Sequence, residues 1–269
     1  QNKIRRLAAF RNPVYYRNRG IGTSNYDTAS WIYLGKDHLS GYIQIPRGLY
    51  GGLIERLSDA GIDYEAFGKL IDWQIEEGIS GLVICGTTGE GSTLTDEEHK
   101  SAIEFAVKRA AGRTPIIAGT GSNDTAYALE LTEFACKVGV DGVLVVTPYY
   151  NKATQKGLIK LFTAIADIST VPVILYNVPS RTGVNIEPKT VAALAEHPNI
   201  NAIKEASGNI SQIAEIAALC SDKINIYSGN DDQIVPIMAV GGKGVISVLS
   251  NLVPAQTSEM CHAILKGDL

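Results

Sequence analysis

Lys204 follows Ala202-Ile203 and precedes Glu205 at the end of an apolar run, 201–204. An amine drawn into apolar surroundings loses hydration, which favours the neutral form that attacks a carbonyl and gives a Schiff base. The plainer reading is a solvated lysine at a strand end. Tyr176 closes an earlier apolar run, 171–176. Beside a Schiff-base lysine a phenol can pass protons; by itself it is a packed aromatic with a satisfied hydroxyl. Thr87 and Thr88 sit between glycines in the segment GTTG, 86–89. Their hydroxyls and the open backbone N–H groups suit a carboxylate, and a simple Gly-Thr turn is the alternative. Arg181, in Pro179-Ser180-Arg181-Thr182-Gly183, offers a fork of donors for a second carboxylate, or is an exposed loop arginine. Tyr149 and Tyr150 are adjacent, and such pairs serve either at a site or in packing and interfaces.

These residues need elements that bring them to one face. From about Ile62 onward, β-branched apolar runs at 81–85, 115–119, 142–147, 171–176, 201–204, 224–227 and 244–248 alternate with longer amphipathic stretches. The stretches are 64–77, 96–111, 125–138, 158–168, 188–197, 210–220 and 233–240. Near-continuous apolar runs separated by helical patterns are the signature of a parallel sheet covered on both faces. A weak strand near 50–54 and a last helix near 254–266 complete eight units, so the expected fold class is α/β, a (β/α)8 TIM barrel. An open doubly wound sheet is the structural alternative. A barrel collects chemistry on the loops that follow its strands. Polar, glycine-bearing segments follow the runs directly: 86–91, 147–151, 176–183, 204–209 and 228–232.

Composition narrows the partners. The 269 residues carry a net charge of −4, yet residues 1–47 hold eight Lys/Arg against Asp27 and Asp37, leaving 48–269 at −10. An acidic body argues against nucleic acid and for a small-molecule partner. Cys85, Cys136, Cys220 and Cys261 fit no CxxC spacing, so reduced, mostly buried thiols are expected in place of zinc or disulfides. The histidines form no HxxxH pair, and no metal is expected. No apolar run approaches the ~20 residues of a membrane span, so a soluble chain without membrane contact is expected. Residues 1–47 stand outside the βα rhythm as an atypical basic N-terminal segment, ahead of a catalytic barrel domain over 48–269. That segment reads as a transit peptide, a loosely packed arm, or a fused or mistranslated leader, and the lack of an initiating Met suggests a fragment or processed chain.

The segments GTTGE, VTPYYNK, ILYNVPSRTG, IKEASGN and SGNDD occur in this order across about 62–267. Together they resemble the dihydrodipicolinate synthase branch of the pyruvate-dependent Schiff-base aldolases, the superfamily that also contains N-acetylneuraminate lyase. The resemblance implies that Lys204 is the Schiff-base lysine, Tyr176 the proton shuttle and Thr87 its hydroxyl relay. It implies that Thr88 contacts the pyruvate carboxylate and that Arg181 receives the carboxylate of L-aspartate-4-semialdehyde. Gly229 and Ile246 match positions lining the pyruvate pocket, and Tyr150 matches a tyrosine that enters a neighbouring subunit's site, so a homo-oligomer is expected. The implied activity is a cofactor-free, metal-free lyase reaction of lysine (diaminopimelate) biosynthesis in the cytoplasm, or in a plastid if the basic segment is a targeting one. The loop corresponding to Arg181 normally lacks an arginine in the sialic-acid lyases. The alternatives are a sister aldolase or hydratase acting on a sugar acid, and a truncated, non-catalytic barrel.

Several positions depart from the family pattern. Glu55-Arg56 stands where the first strand commonly ends in Thr-Pro, and Gly91 and Ala153 replace a frequent Ser and Pro. Tyr127 occupies the place of an acidic residue of the family's lysine-binding site. Family chains also continue into further helices, whereas this sequence stops at Leu269, so a barrel without the C-terminal helical extension is expected.

Overall fold

The computed structural model describes residues 61–87 and 89–268, and the main chain of 41–43. Eight parallel strands follow one another around a single curled sheet in sequence order: β1 (Gly41–Ile43), β2 (Leu82–Ile84), β3 (Ile116–Gly119), β4 (Gly142–Val146), β5 (Val173–Asn177), β6 (Ile200–Glu205), β7 (Asn225–Ser228) and β8 (Gly244–Val245). Each strand pairs in parallel with the next. Among the described residues no ladder joins β8 to β1. Strictly sequential order sets aside the doubly wound alternative, whose chain reverses direction across its sheet.

The expected strand near 50–54 lies outside the described residues, as do Glu55-Arg56. The segment that pairs with β2 is Gly41–Ile43, within the basic stretch 1–47. Three residues give no periodicity to read, which is why the sequence does not single them out. The remaining runs fall on β2 to β8, although β8 is only two residues long.

Helices run between the strands: α1 (Tyr64–Glu76), α2 (Asp96–Ala110), α3 (Thr125–Val138), α4 (Gln155–Ile168), α5 (Pro179–Thr182), α6 (Pro188–Leu194), α7 (Ile210–Cys220), α8 (Ile234–Ala239) and α9 (Pro254–Leu265). Local sequence starts them. Thr95 and Glu98 form a reciprocal capping box on α2, Asp124 accepts two N–H groups at the start of α3, and Thr154 caps α4. Each cap satisfies donors that the first turn leaves free. The one-turn α5, read from sequence as part of a loop, forms where Pro179 sits at the first helical position and Gly183, at φ 71°, ends it.

Strand alternation divides the core into two layers. Leu82, Ile84, Val143, Val145, Leu175 and Ile203 pack outward against helical residues such as Phe67, Ile103 and Phe162. Val83, Ile117, Leu144, Ile174, Tyr176, Ala202 and Ile246 form a second buried cluster on the sheet's inner face. Cys85, Cys220 and Cys261 are buried free thiols, and Cys136 is half-buried. No helix among the described residues is long and apolar enough to cross a membrane.

Candidate active site

Lys204 lies on the inner face of β6, one residue before the strand ends. Its register partners are Tyr176 on β5 and Tyr227 on β7. The side chain is 3% exposed, and its Nζ sits 4.2 Å from the centroid of the Tyr176 ring. Burial lowers the Lys204 pKa to about 7; the Asp231 carboxylate pulls it upward and the Arg181 guanidinium downward. At neutral pH a large share of this amine is therefore unprotonated, the requirement for attack on a carbonyl.

Tyr176 is buried among apolar neighbours. Burial pushes its phenol up to about 12, opposed by the Arg181 charge and by a hydrogen bond with the Thr87 side chain. The phenol thus stays protonated and joined to a hydroxyl from the loop after β2, a chain along which a proton can pass.

A cavity of about 470 Å³ opens over the ends of β2 to β5. Thr87, Tyr149, Tyr176 and Arg181 line it, as do Asp96, His99 and Tyr127. Lys204 is not among its walls, and its Nζ lies over the ring of Tyr176, which is. The lysine, the tyrosine, Thr87 and Arg181 are thus brought together from β6, β5, the loop after β2 and α5.

The other sequence-derived residues divide. Gly229 follows β7, where an added Cβ would stand 2.6 Å from the Ala206 Cβ and 3.2 Å from the Lys204 Cε; only glycine leaves the lysine stem its present space. Ile246 is fully buried in the same inner cluster as Tyr176, and its N–H donates to the Ser228 carbonyl at 2.8 Å. Tyr150 does not line the cavity: it is 91% exposed, at a φ of 73°, while its N–H donates to the Thr182 carbonyl at 3.4 Å beside Arg181. Thr88 lies outside the described residues.

Two acidic residues escaped the sequence reading. Asp231 accepts the N–H groups of Val248 and Leu249, both at 2.9 Å, tying the turn after β7 to the segment after β8. It supplies the negative charge that faces Lys204. Its place in SGNDD, just beyond the neighbouring strand, was the available signal. Glu205 is fully buried on the opposite face of β6 from Lys204, and nothing in one sequence separates it from a solvated strand-end glutamate.

The fold agrees with what the chain is similar to. Residues 54–269 match the model of the dihydrodipicolinate synthetase family. A 4-hydroxy-tetrahydrodipicolinate synthase of Acetivibrio thermocellus is 54% identical over 217 residues, 81% of this chain and 74% of that one. Another from Clostridium acetobutylicum is 52% identical over 225 residues, 84% of this chain and 77% of that one. The crystal structure of dihydrodipicolinate synthase from Aquifex aeolicus superimposes with a TM-score of 0.80 at 44% identity, covering 86% of this chain and 76% of that one. With a family model matched over most of its length, relatives above 50% identity and a shared fold, this chain belongs to the dihydrodipicolinate synthetase family.

Proposed function

We propose that this chain condenses pyruvate with L-aspartate-4-semialdehyde to 4-hydroxy-tetrahydrodipicolinate through a Schiff base on Lys204, a step of lysine biosynthesis. The observation that carries the reading is the buried amine, with a pKa of about 7, held 4.2 Å from the Tyr176 ring. The names of relatives more than half identical to this chain support it.

In this mechanism the neutral Lys204 amine adds to the keto carbon of pyruvate, and water leaves as the imine forms. Loss of a methyl proton gives an enamine, with the imine nitrogen as the electron sink, so the chemistry calls on no cofactor or metal. The enamine carbon bonds to the aldehyde carbon. The substrate's own amine then attacks the imine carbon, closing the ring and returning Lys204 as a free amine. Tyr176 and Thr87 relay the protons, and Thr88 holds the pyruvate carboxylate. Gly229 and Ile246 shape the pyruvate pocket, and Arg181 takes the carboxylate of the semialdehyde.

We further read the sheet as a closed barrel with its seam between β8 and β1, in a catalytic domain that adds Gly41–Ile43 to 48–269 and acts in the cytoplasm. The exposure of Tyr150 on a backbone tied to the Arg181 turn supports a homo-oligomer in which Tyr150 reaches the neighbouring subunit's site. The test is to incubate the protein with pyruvate, reduce it with borohydride and map the adduct by mass spectrometry. A pyruvate-derived adduct on Lys204 is expected; no adduct, or one on another lysine, overturns the reading.

A further inference from the structure

Glu205 is fully buried next to the lysine, on the helix-facing side of β6, and the mechanism above does not use it. Its carboxyl group meets three N–H donors and the Ser207 hydroxyl. Asn177 Nδ2 reaches Oε1 at 3.2 Å and Oε2 at 3.0 Å, the Ser207 N–H reaches Oε1 at 2.7 Å, and Gln212 Nε2 reaches Oε2 at 3.4 Å. The N–H groups match an ionised carboxylate, whereas the Ser207 hydroxyl can serve either form.

The partners extend to three parts of the site. Asn177 is the register partner of Glu205, just as Tyr176 is of Lys204, so the contact joins the two strand ends one residue beyond the reacting pair. Asn177 Oδ1 accepts the Ile186 N–H at 2.9 Å, and its Nδ2 also donates to Asn185 Oδ1 at 2.9 Å. Asn185 and Gln212 exchange two hydrogen bonds, at 2.8 and 3.1 Å. The segment that leaves α5, the turn carrying Arg181, is thereby fastened to the start of α7.

We propose that Glu205 is a positioning residue: through Asn177 it holds the ends of β5 and β6 so that Tyr176 meets Lys204, and through Gln212 and Asn185 it fixes the turn that carries Arg181. The inference rests on the proposed reaction. Burial raises the Glu205 pKa, and its hydrogen bonds oppose that rise without reversing it, so the network sets the carboxyl group's place more than its charge.

Glu205→Gln keeps the shape but turns an NH2 toward donors. The expected result is borohydride trapping of pyruvate and condensation kcat both about 10- to 100-fold lower per folded molecule, the cost of a small misplacement of reacting groups. Adding Asn177→Asp returns a carboxylate to the contact with donor and acceptor exchanged, and is expected to recover most of both rates. Gln212→Met, which cuts the link toward Arg181 and leaves the Asn177 contact in place, is expected to raise the KM for the semialdehyde far more than it slows trapping. It also keeps the idea testable if Glu205→Gln fails to fold.

A Glu205→Gln protein with normal trapping and kcat, changed only in melting temperature, overturns the proposal, as does a Gln212→Met protein with an unaltered semialdehyde KM. If the unsubstituted chain traps no pyruvate, the proposed reaction and this inference fall together; if it traps normally and the Glu205 variant does too, only the inference falls.

Discussion

The Lys204 Nζ stands 4.2 Å from the centroid of the Tyr176 ring, on adjacent strands whose registers place the two residues side by side. The same contact that shields the amine from water sets the phenol beside it, where the proposed reaction moves a proton. Replacing Lys204 with Ala or Arg is expected to abolish pyruvate trapping, since Arg stays protonated and cannot act as the nucleophile. Trapping by either variant would remove Lys204 from the mechanism.

The lowered pKa of Lys204, about 7, gives the trapping rate a pH profile. The rate is expected to climb as pH passes through 7 and to level off above it, once the amine is neutral. A solvated lysine would instead keep gaining rate up to roughly pH 10. Initial trapping rates measured from pH 5.5 to roughly 9 decide between the two, because only the second profile is still rising at the alkaline end.

That amine also costs stability. Its pKa falls from 10.5 to about 7 on burial, so between those values the unfolded chain binds a proton that the folded chain does not. Folding stability contributed by this group therefore rises with pH across that window, and the full cost is felt at and below pH 7. Lys204→Met is expected to stabilise the protein by on the order of a few kcal/mol at pH 7, with the gain shrinking toward pH 10. Urea midpoints at both pH values measure it; an equal gain at each would show that packing, not charge burial, is responsible.

Arg181 lines the cavity, and its charge reaches both Lys204 and Tyr176. Arg181→Ala is expected to raise the KM for the semialdehyde by about tenfold or more, with a smaller change for pyruvate. Losing that positive charge also lets the Lys204 pKa rise, so the trapping profile should move to higher pH. Equal losses for both substrates with an unmoved profile would count against a role in binding the aldehyde's carboxylate.

Gly229→Ala puts a methyl 2.6 Å from the Ala206 Cβ and 3.2 Å from the Lys204 Cε. Overpacking of this kind costs about 1–3 kcal/mol, and the lysine stem is the softer of the two neighbours. Trapping should slow more than thermal stability falls. A variant that traps pyruvate normally would show that the lysine does not depend on this close approach.

Lysine is expected to inhibit turnover weakly, with half-inhibition at roughly millimolar concentration or above. Tyr127 occupies the place of the acid that the family resemblance assigns to lysine binding. The nearby carboxylate in the cavity, Asp96, is already engaged by Lys100 at 2.8 Å and by the Tyr127 hydroxyl. Micromolar inhibition in a turnover assay would contradict this.

The βα rhythm was legible in the sequence because strands covered on both faces must be apolar throughout, and the runs ending at Cys85, Tyr176 and Lys204 stand out against amphipathic helices. The residue types of the site were legible for the same reason: Lys204, Tyr176 and Arg181 sit at or just after those runs, where a barrel gathers its chemistry. The short strand Gly41–Ile43 was not, since three residues carry no period. Tertiary structure alone decided which partner each residue meets. Asp231 faces Lys204 because β6 and β7 are neighbours, and Glu205 is buried yet hydrogen-bonded because Asn177, 28 positions away, arrives beside it. Burial, and with it the lowered pKa of Lys204, depends on what the rest of the chain packs around the amine, a quantity no local pattern of residues contains.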